Sequence, residues 1–165
     1  MVRANKDTVW HICAEFDQEE IMEYLTTMIE DFNINCQNLA GETALMVAAR
    51  EGNLAIIKYM LGKFVQNEKN TVTQKKILEV ESRSKDGWTA FLYAAVNGYL
   101  NTTEYLAVEC KSDVNVVDKM RRSALHWAAR FNNPQMVNLL IRLKVDERAI
   151  DVDRMTPKDL AKAHS

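Results

Sequence analysis

Thr43-Ala-Leu-Met-Val-Ala-Ala49 and Ser123-Ala-Leu-His-Trp-Ala-Ala129 are two copies of one phrase, and three further copies surround them. Thr8-Val-Trp-His-Ile-Cys-Ala14 precedes the first, Thr89-Ala-Phe-Leu-Tyr-Ala-Ala95 lies between the two, and Thr156-Pro-Lys-Asp-Leu-Ala-Lys162 follows. The opening hydroxyl residues are separated by 35, 46, 34 and 33 residues. A period near 33 residues with one enlarged interval marks a stacked array, in which each unit buries its apolar face against its neighbours. Sequence order in such an array is spatial order. Function is therefore expected on a continuous surface rather than in an enclosed pocket.

Local chemistry says how each unit is built. The Thr or Ser that opens a phrase can accept a hydrogen bond from an orphan backbone N–H of a following helix, and Pro157 suits a first helical position. Nine residues after the first four hydroxyls stand Asp17, Gly52, Gly98 and Asn132, types that tolerate the left-handed conformation at a helix end. First helices are thus expected over 9–16, 44–51, 90–97, 124–131 and 157–163. A second helix follows, read from apolar residues three and four apart: Ile21, Met22 and Leu25; Ile56, Ile57, Met60 and Leu61; Leu100, Thr103 and Leu106; Met136, Val137, Leu139 and Leu140. Pro134 suits the opening turn of the last of these. Small pairs such as Ala48-Ala49 and Ala94-Ala95 let neighbouring backbones approach. Between units, Gly41 and Gly87 sit two residues ahead of their Thr, and the intervening segments read as hairpin fingers with little extended sheet.

Helix, helix and finger on this period resemble the ankyrin repeat. The resembling residues are Asn38-x-x-Gly41-x-Thr43-Ala-Leu45-x-x-Ala48-Ala49-x-x-Gly52 and Asp113-Val-Asn115, with His11 and His126 at the family's histidine position. Lys6, Arg121 and Arg154 depart from the pattern by replacing the turn glycine. The resemblance implies an all-α solenoid of stacked helix-turn-helix units with projecting β-turn fingers, forming one domain over residues 1–165. Its units are 1–37, 38–83 with an insertion at 65–78, 84–117, 118–150 and a partial capping unit at 151–165. It also implies that His11 and His126 bridge the turns of adjacent units.

Composition excludes several classes. At 47% hydrophobic and 27% charged the chain reads as globular. It holds no apolar run near the ~20 residues of a membrane helix, and Met1 to Asp7 has no apolar signal segment. Cys13, Cys36 and Cys110 form an odd set without Cys-x-x-Cys spacing, so neither a disulfide framework nor a zinc site is indicated. A cytoplasmic location is expected, with the nucleus as an alternative. The net charge of −2 is unevenly placed: residues 1–60 hold four Lys/Arg against ten Asp/Glu, and residues 61–165 hold seventeen against thirteen. That polarity would steer a charged partner.

The motifs of catalysis are missing. His11, His126 and His164 lie far apart, and no phosphate loop, Gly-x-Ser-x-Gly elbow or His-Glu-x-x-His helix occurs. No catalytic residue, cofactor or metal is expected. Cys13 and Cys36 read as packing residues, whereas Cys110 beside Lys111 is the candidate for an exposed thiol. Lys119, Arg121, Arg122 and Arg130 form a basic cluster, but Asp118 and Asp151 flank it and the pI is 5.9, which argues against nucleic acid. The stretch Val65–Leu78 makes unit two thirteen residues longer than a 33-residue unit; it reads as a tolerated decoration, with partner contact as the alternative.

By resemblance, partners meet the finger tips and the inward faces of the first helices. Those positions are Asp7, Ile12, Glu15 and Phe16; Leu39, Ala40, Glu42, Arg50 and Glu51; Lys85, Asp86, Trp88, Tyr93, Val96 and Asn97; and Lys119, Met120, Arg122, Trp127, Arg130 and Phe131. Trp88, Tyr93, Trp127, Phe131, Arg122 and Arg130 are hot-spot types, and the alternative for Tyr93 and Trp127 is packing between neighbouring helices. The expected function is protein–protein recognition. The site would comprise Trp88, Tyr93, Lys119, Met120, Arg122, Trp127, Arg130 and Phe131 with Lys85 and Arg50, and would take a protein or peptide with an apolar anchor flanked by acidic residues. The alternative is a recruiting or regulatory domain of a larger enzyme of palmitoyltransferase, kinase or glutaminase type.

Overall fold

A computed structural model describes residues 5–64 and 77–163. Most of the insertion, residues 65–76, lies outside the described residues, as does His164. Among the described residues there are nine α-helices. The phrases form α1 (Val9–Glu15), α3 (Ala44–Glu51), α5 (Ala90–Val96), α7 (Ala124–Arg130) and α9 (Pro157–Ala163). Their partners are α2 (Glu19–Met28), α4 (Leu54–Phe64), α6 (Leu100–Val108) and α8 (Pro134–Arg142). Each odd-numbered helix packs on the next, from α1 to α9, while α2 packs on α4 and α6 on α8. The result is a two-layered all-α stack. None of its described helices is long and apolar enough to cross a membrane.

Capping sets the helix starts. Thr43 Oγ1 accepts from Met46 N and Thr89 Oγ1 from Leu92 N, both at 3.4 Å. At α1 and α7 a histidine joins the cap: its Nδ1 accepts from the backbone N–H of Thr8 at 3.2 Å and of Ser123 at 3.1 Å. The far nitrogen, Nε2, then reaches the carbonyl of Glu42 from His11 (2.8 Å) and of Met155 from His126 (3.1 Å), each in the next unit. Helix ends follow the left-handed residues Asp17, Gly52, Gly98 and Asn132. α1, α5 and α7 stop one residue short of the expected bound, because Phe16, Asn97 and Phe131 have ψ near zero as the chain swings toward positive φ.

Packing follows the small pairs. Cys13, Ala14, Ala48, Ala49, Ala94, Ala95 and Ala128 are buried between odd-numbered helices, and Met22, Ile56, Ile57, Met60, Leu106, Met136 and Leu140 are buried between the layers. Full burial of each such large side chain contributes roughly 1.5–3 kcal/mol. Polar clamps tie successive steps together. Asn53 Nδ2 donates to the carbonyls of Ala14 and Glu15, capping α1 from the start of α4.

The fingers are turns rather than ladders, with one isolated antiparallel bridge, Val117 to Ser123, among the described residues. Their tips are joined by main-chain bonds: Leu39 N to Asn5 O, Lys85 N to Ala40 O, Lys119 N to Asp86 O, and Val152 N to Met120 O, at 2.8–3.1 Å. Gly41 allows this approach, since a Cβ there would lie 2.8 Å from Lys85 N. Lys6, Arg121 and Arg154, which replace the turn glycine elsewhere, nonetheless adopt φ of 54°, 58° and 60°. The insertion is closed at its base, where Leu78 N donates to Phe64 O at 2.9 Å.

Candidate functional site

Each finger tip is organised by one side chain at its start. Asn38 Oδ1 accepts from the N–H groups of Ala40 and Glu42, Asp118 Oδ1 from Met120 and Arg122, and Asp151 Oδ1 from Asp153 and Met155, all within 3.0 Å. Ser84 Oγ accepts from Trp88 N at 3.1 Å in the second finger. This Asx- or hydroxyl-type turn aims the next two side chains away from the stack. Leu39, Lys85, Lys119, Met120 and Val152 are accordingly exposed.

Between the second and third of these tips the aromatic residues form one continuous strip. Trp88 packs on Tyr93 with ring centroids 5.1 Å apart and on Trp127 at 5.4 Å, and Trp127 stacks on Phe131 at 5.7 Å. Trp127 is oriented by its indole N–H, which donates to Asp118 Oδ2 at 3.0 Å. The guanidinium carbons of Arg122 and Arg130 lie 5.5 and 5.8 Å from the Trp127 ring, within cation–π range. Trp88, Tyr93 and Trp127 are half-buried, while Phe131 and Met120 are 57% and 45% exposed. An open cleft of about 580 Å³ runs over Trp88, Tyr93 and Trp127 between Asp86 and Met120.

Two of the basic candidates are engaged within the fold. Arg122 Nε donates to Asp151 Oδ2 at 3.4 Å and its Nη2 lies 3.7 Å from Asp153, leaving the side chain 15% exposed. Arg50 Nη1 donates to Glu42 Oε1 at 2.6 Å, and Glu42, a tip position on sequence grounds, is 4% exposed. Burial pushes the Glu42 carboxyl up, but Asn38, Arg50 and the Tyr93 hydroxyl outweigh it and hold it below its usual range. Burial and the Glu42 charge together push the Tyr93 phenol up to about 12. Lys119 and Arg130 remain as exposed cations beside the strip, with Lys85 exposed on the neighbouring tip.

The structure therefore brings together Trp88, Tyr93, Lys119, Met120, Arg122 and Trp127 around one cleft, extended by Arg130 and Phe131. Arg50 joins through Glu42 and Tyr93. In the first unit, Asp7 is taken up by Asn38 and Asn5, and Ile12 is half-buried. Sequence reasoning missed Asn38, Asp118 and Asp151 as the organisers of the tips. The signal was present: they and Ser84 stand five residues ahead of each opening hydroxyl from Thr43 onward.

Elsewhere the reactive groups are quiet. Cys110 is half-buried, and burial, reinforced by Glu109 and Glu81, pushes its thiol up to about 12, so it is protonated at neutral pH. Among the described residues no three His, Cys, Asp or Glu side chains are grouped to hold a metal ion.

Residues 10–118 and 64–156 match the family model for ankyrin repeats in three copies. The chain is 29% identical, over 90% of its length, to alpha-latroinsectotoxin-Lt1a of Latrodectus tredecimguttatus. It is 27% identical over 82% of its length to the human neurogenic locus notch homolog protein 1, and 26% over 80% to inversin of Canis lupus familiaris. It spans 10%, 5% and 11% of those proteins respectively.

Proposed function

The chain belongs to the ankyrin-repeat family, whose arrays generally serve as protein-interaction modules, and from that premise we propose that it binds a protein or peptide through the cleft over Trp88, Tyr93 and Trp127. The observation that carries this reading is the unbroken run of rings from Tyr93 to Phe131, exposed at its Phe131 end and bordered by Lys119 and Arg130. The partner offers an apolar anchor to the rings and Asp or Glu to the two cations. Ring burial supplies most of the affinity, each exposed charge pair adding only ~0–1 kcal/mol. Catalysis is not part of the reading. The chain acts as one domain with units meeting at 37/38, 83/84, 117/118 and 150/151, in the cytoplasm or nucleus.

Selection from a random peptide library tests the cleft directly. Enriched sequences should place an aromatic or aliphatic residue beside Asp or Glu, and should lose binding to a chain carrying Phe131→Ala and Lys119→Glu while its melting temperature stays unchanged. Peptides that bind the folded double variant as well as the parent would exclude the cleft. Arg122 is left intact in this design because its partner is the buried Asp151.

A further inference from the structure

The first helix pair displays the chemistry that the cleft is read to take. On α2, Ile21, Tyr24 and Met28 are 48%, 62% and 63% exposed, and their spacing puts them on one side of the helix. Another side carries the buried Met22, and Thr26, whose hydroxyl lies 3.2 Å from the Tyr59 hydroxyl of α4. Because Thr26 marks the side that meets α4, the apolar strip faces away from the stack. Glu20, four residues before Tyr24, is exposed along its border, and Glu23 is exposed one turn further on, between that border and the α4 side. No Lys or Arg occurs between Lys6 and Arg50 to neutralise them. The outcome is an aromatic anchor, Tyr24, with carboxylates beside it.

The complement lies three helix pairs away. Met120 and Lys119 are exposed at the cleft opposite Asp86, and Phe131 and Arg130 are exposed just beyond it, so that two cations face the anchor against one carboxylate. The chain as a whole is polarised in the same sense, acidic over residues 1–60 and basic over 61–165. Within one copy the two surfaces belong to different layers and different steps of the stack, so a copy does not fill its own cleft.

We propose that the Ile21–Tyr24–Met28 face of α2 in one copy docks into the Trp88–Trp127–Phe131 cleft of a second copy, an inference that rests on the reading of the cleft given above. Anchors at i, i+3 and i+7 suit a helix lying in a groove. Two different patches meet, so the contact is heterologous and propagates into a ring or an open chain rather than ending at a two-fold dimer. The bordering charges select the orientation and make the contact sensitive to salt.

Sedimentation velocity from about 10 μM to about 1 mM should show species larger than the monomer at low salt that recede as salt rises. Tyr24→Ala, and separately Lys119→Glu with Arg130→Glu, should leave folded chains whose association is weaker by about tenfold or more. A copy carrying Glu20→Lys and Glu23→Lys should associate with a copy carrying Lys119→Glu and Arg130→Glu although neither associates alone, a restoration that damage to folding does not produce. A monomer at every concentration, or a mixture of the two folded swap variants that stays monomeric, overturns the proposal. A short peptide with one tryptophan between two pairs of glutamates, titrated into the Tyr24→Ala chain, separates the two readings. Peptide binding without self-association removes the second-copy contact alone, and failure of both removes the cleft as well.

Discussion

Asp151 accepts two backbone N–H groups with one oxygen and faces Arg122 with the other, and its side chain is fully out of solvent. Burial pushes its carboxyl up, yet the N–H groups of Met155 and Asp153 and the Arg122 guanidinium outweigh burial and hold it below its ordinary value. Glu42 is depressed in the same way. A carboxyl whose folded value lies below its unfolded one contributes stability above the unfolded value, near 4, and loses it as pH falls through the folded value. Thermal melts should accordingly hold level down to about pH 5 and fall below about pH 4, with a shallower fall in Asp151→Asn. A profile unchanged by that substitution would show that the carboxylate does not couple to folding. Arg122→Glu is expected to cost about 3–5 kcal/mol in urea unfolding, because it removes the partner of a buried charge and sets a like charge beside it. Unaltered stability would mean the pair contributes nothing. The sequence alone presents Asp118 and Asp151 as acidic neighbours of a basic cluster. Their burial depends on donors from their own turn and, for Asp151, on Arg122 twenty-nine positions earlier, which no local pattern displays.

At the scale of the element, caps and left-handed ends explain why the five first helices are legible to within a residue. Thr43, Thr89 and Gly52 act locally, and local chemistry is what a single sequence exposes. The fingers were less so. Their tips looked like hairpins, yet their main-chain partners lie on the neighbouring tip rather than along a paired strand. The third tip also bends through Arg121 at φ 58°, where a non-glycine residue costs roughly 1–2 kcal/mol and glycine's extra unfolded freedom returns roughly 0.5–1 of it. Arg121→Gly should therefore raise stability by about 0.5–1 kcal/mol in denaturant titration, with no change in the slope. A loss of stability would reveal that the exposed Arg121 side chain makes a contact worth more than the strain.

Over the whole molecule each odd-numbered helix packs against its neighbours in the stack, so α3, α5 and α7 are flanked on both sides by odd-numbered helices, and α1 and α9 on one. Native-state hydrogen exchange should rank the amides of α3 and α5 as slowest and those of α2 and α9 as fastest, slowing from the ends of the stack toward its middle. Uniform exchange would instead describe a single cooperative block. The cleft borders α5, the middle helix of the stack, which favours the proposed docking of a partner on rings that need not reorganise. The tip-to-tip bonds also bear on how the chain can vary by descent. They are made by the backbone N–H groups of Leu39, Lys85, Lys119 and Val152 and the carbonyls of Asn5, Ala40, Asp86 and Met120, and a main-chain bond is blind to which side chain its residue bears. Positions 39, 85, 119, 120 and 152 can thus drift or be randomised together while the register of the tips persists, provided that proline is kept from the donor sites. Inheritance of the scaffold rests on main-chain atoms, while the exposed side chains of the same residues are left to diverge.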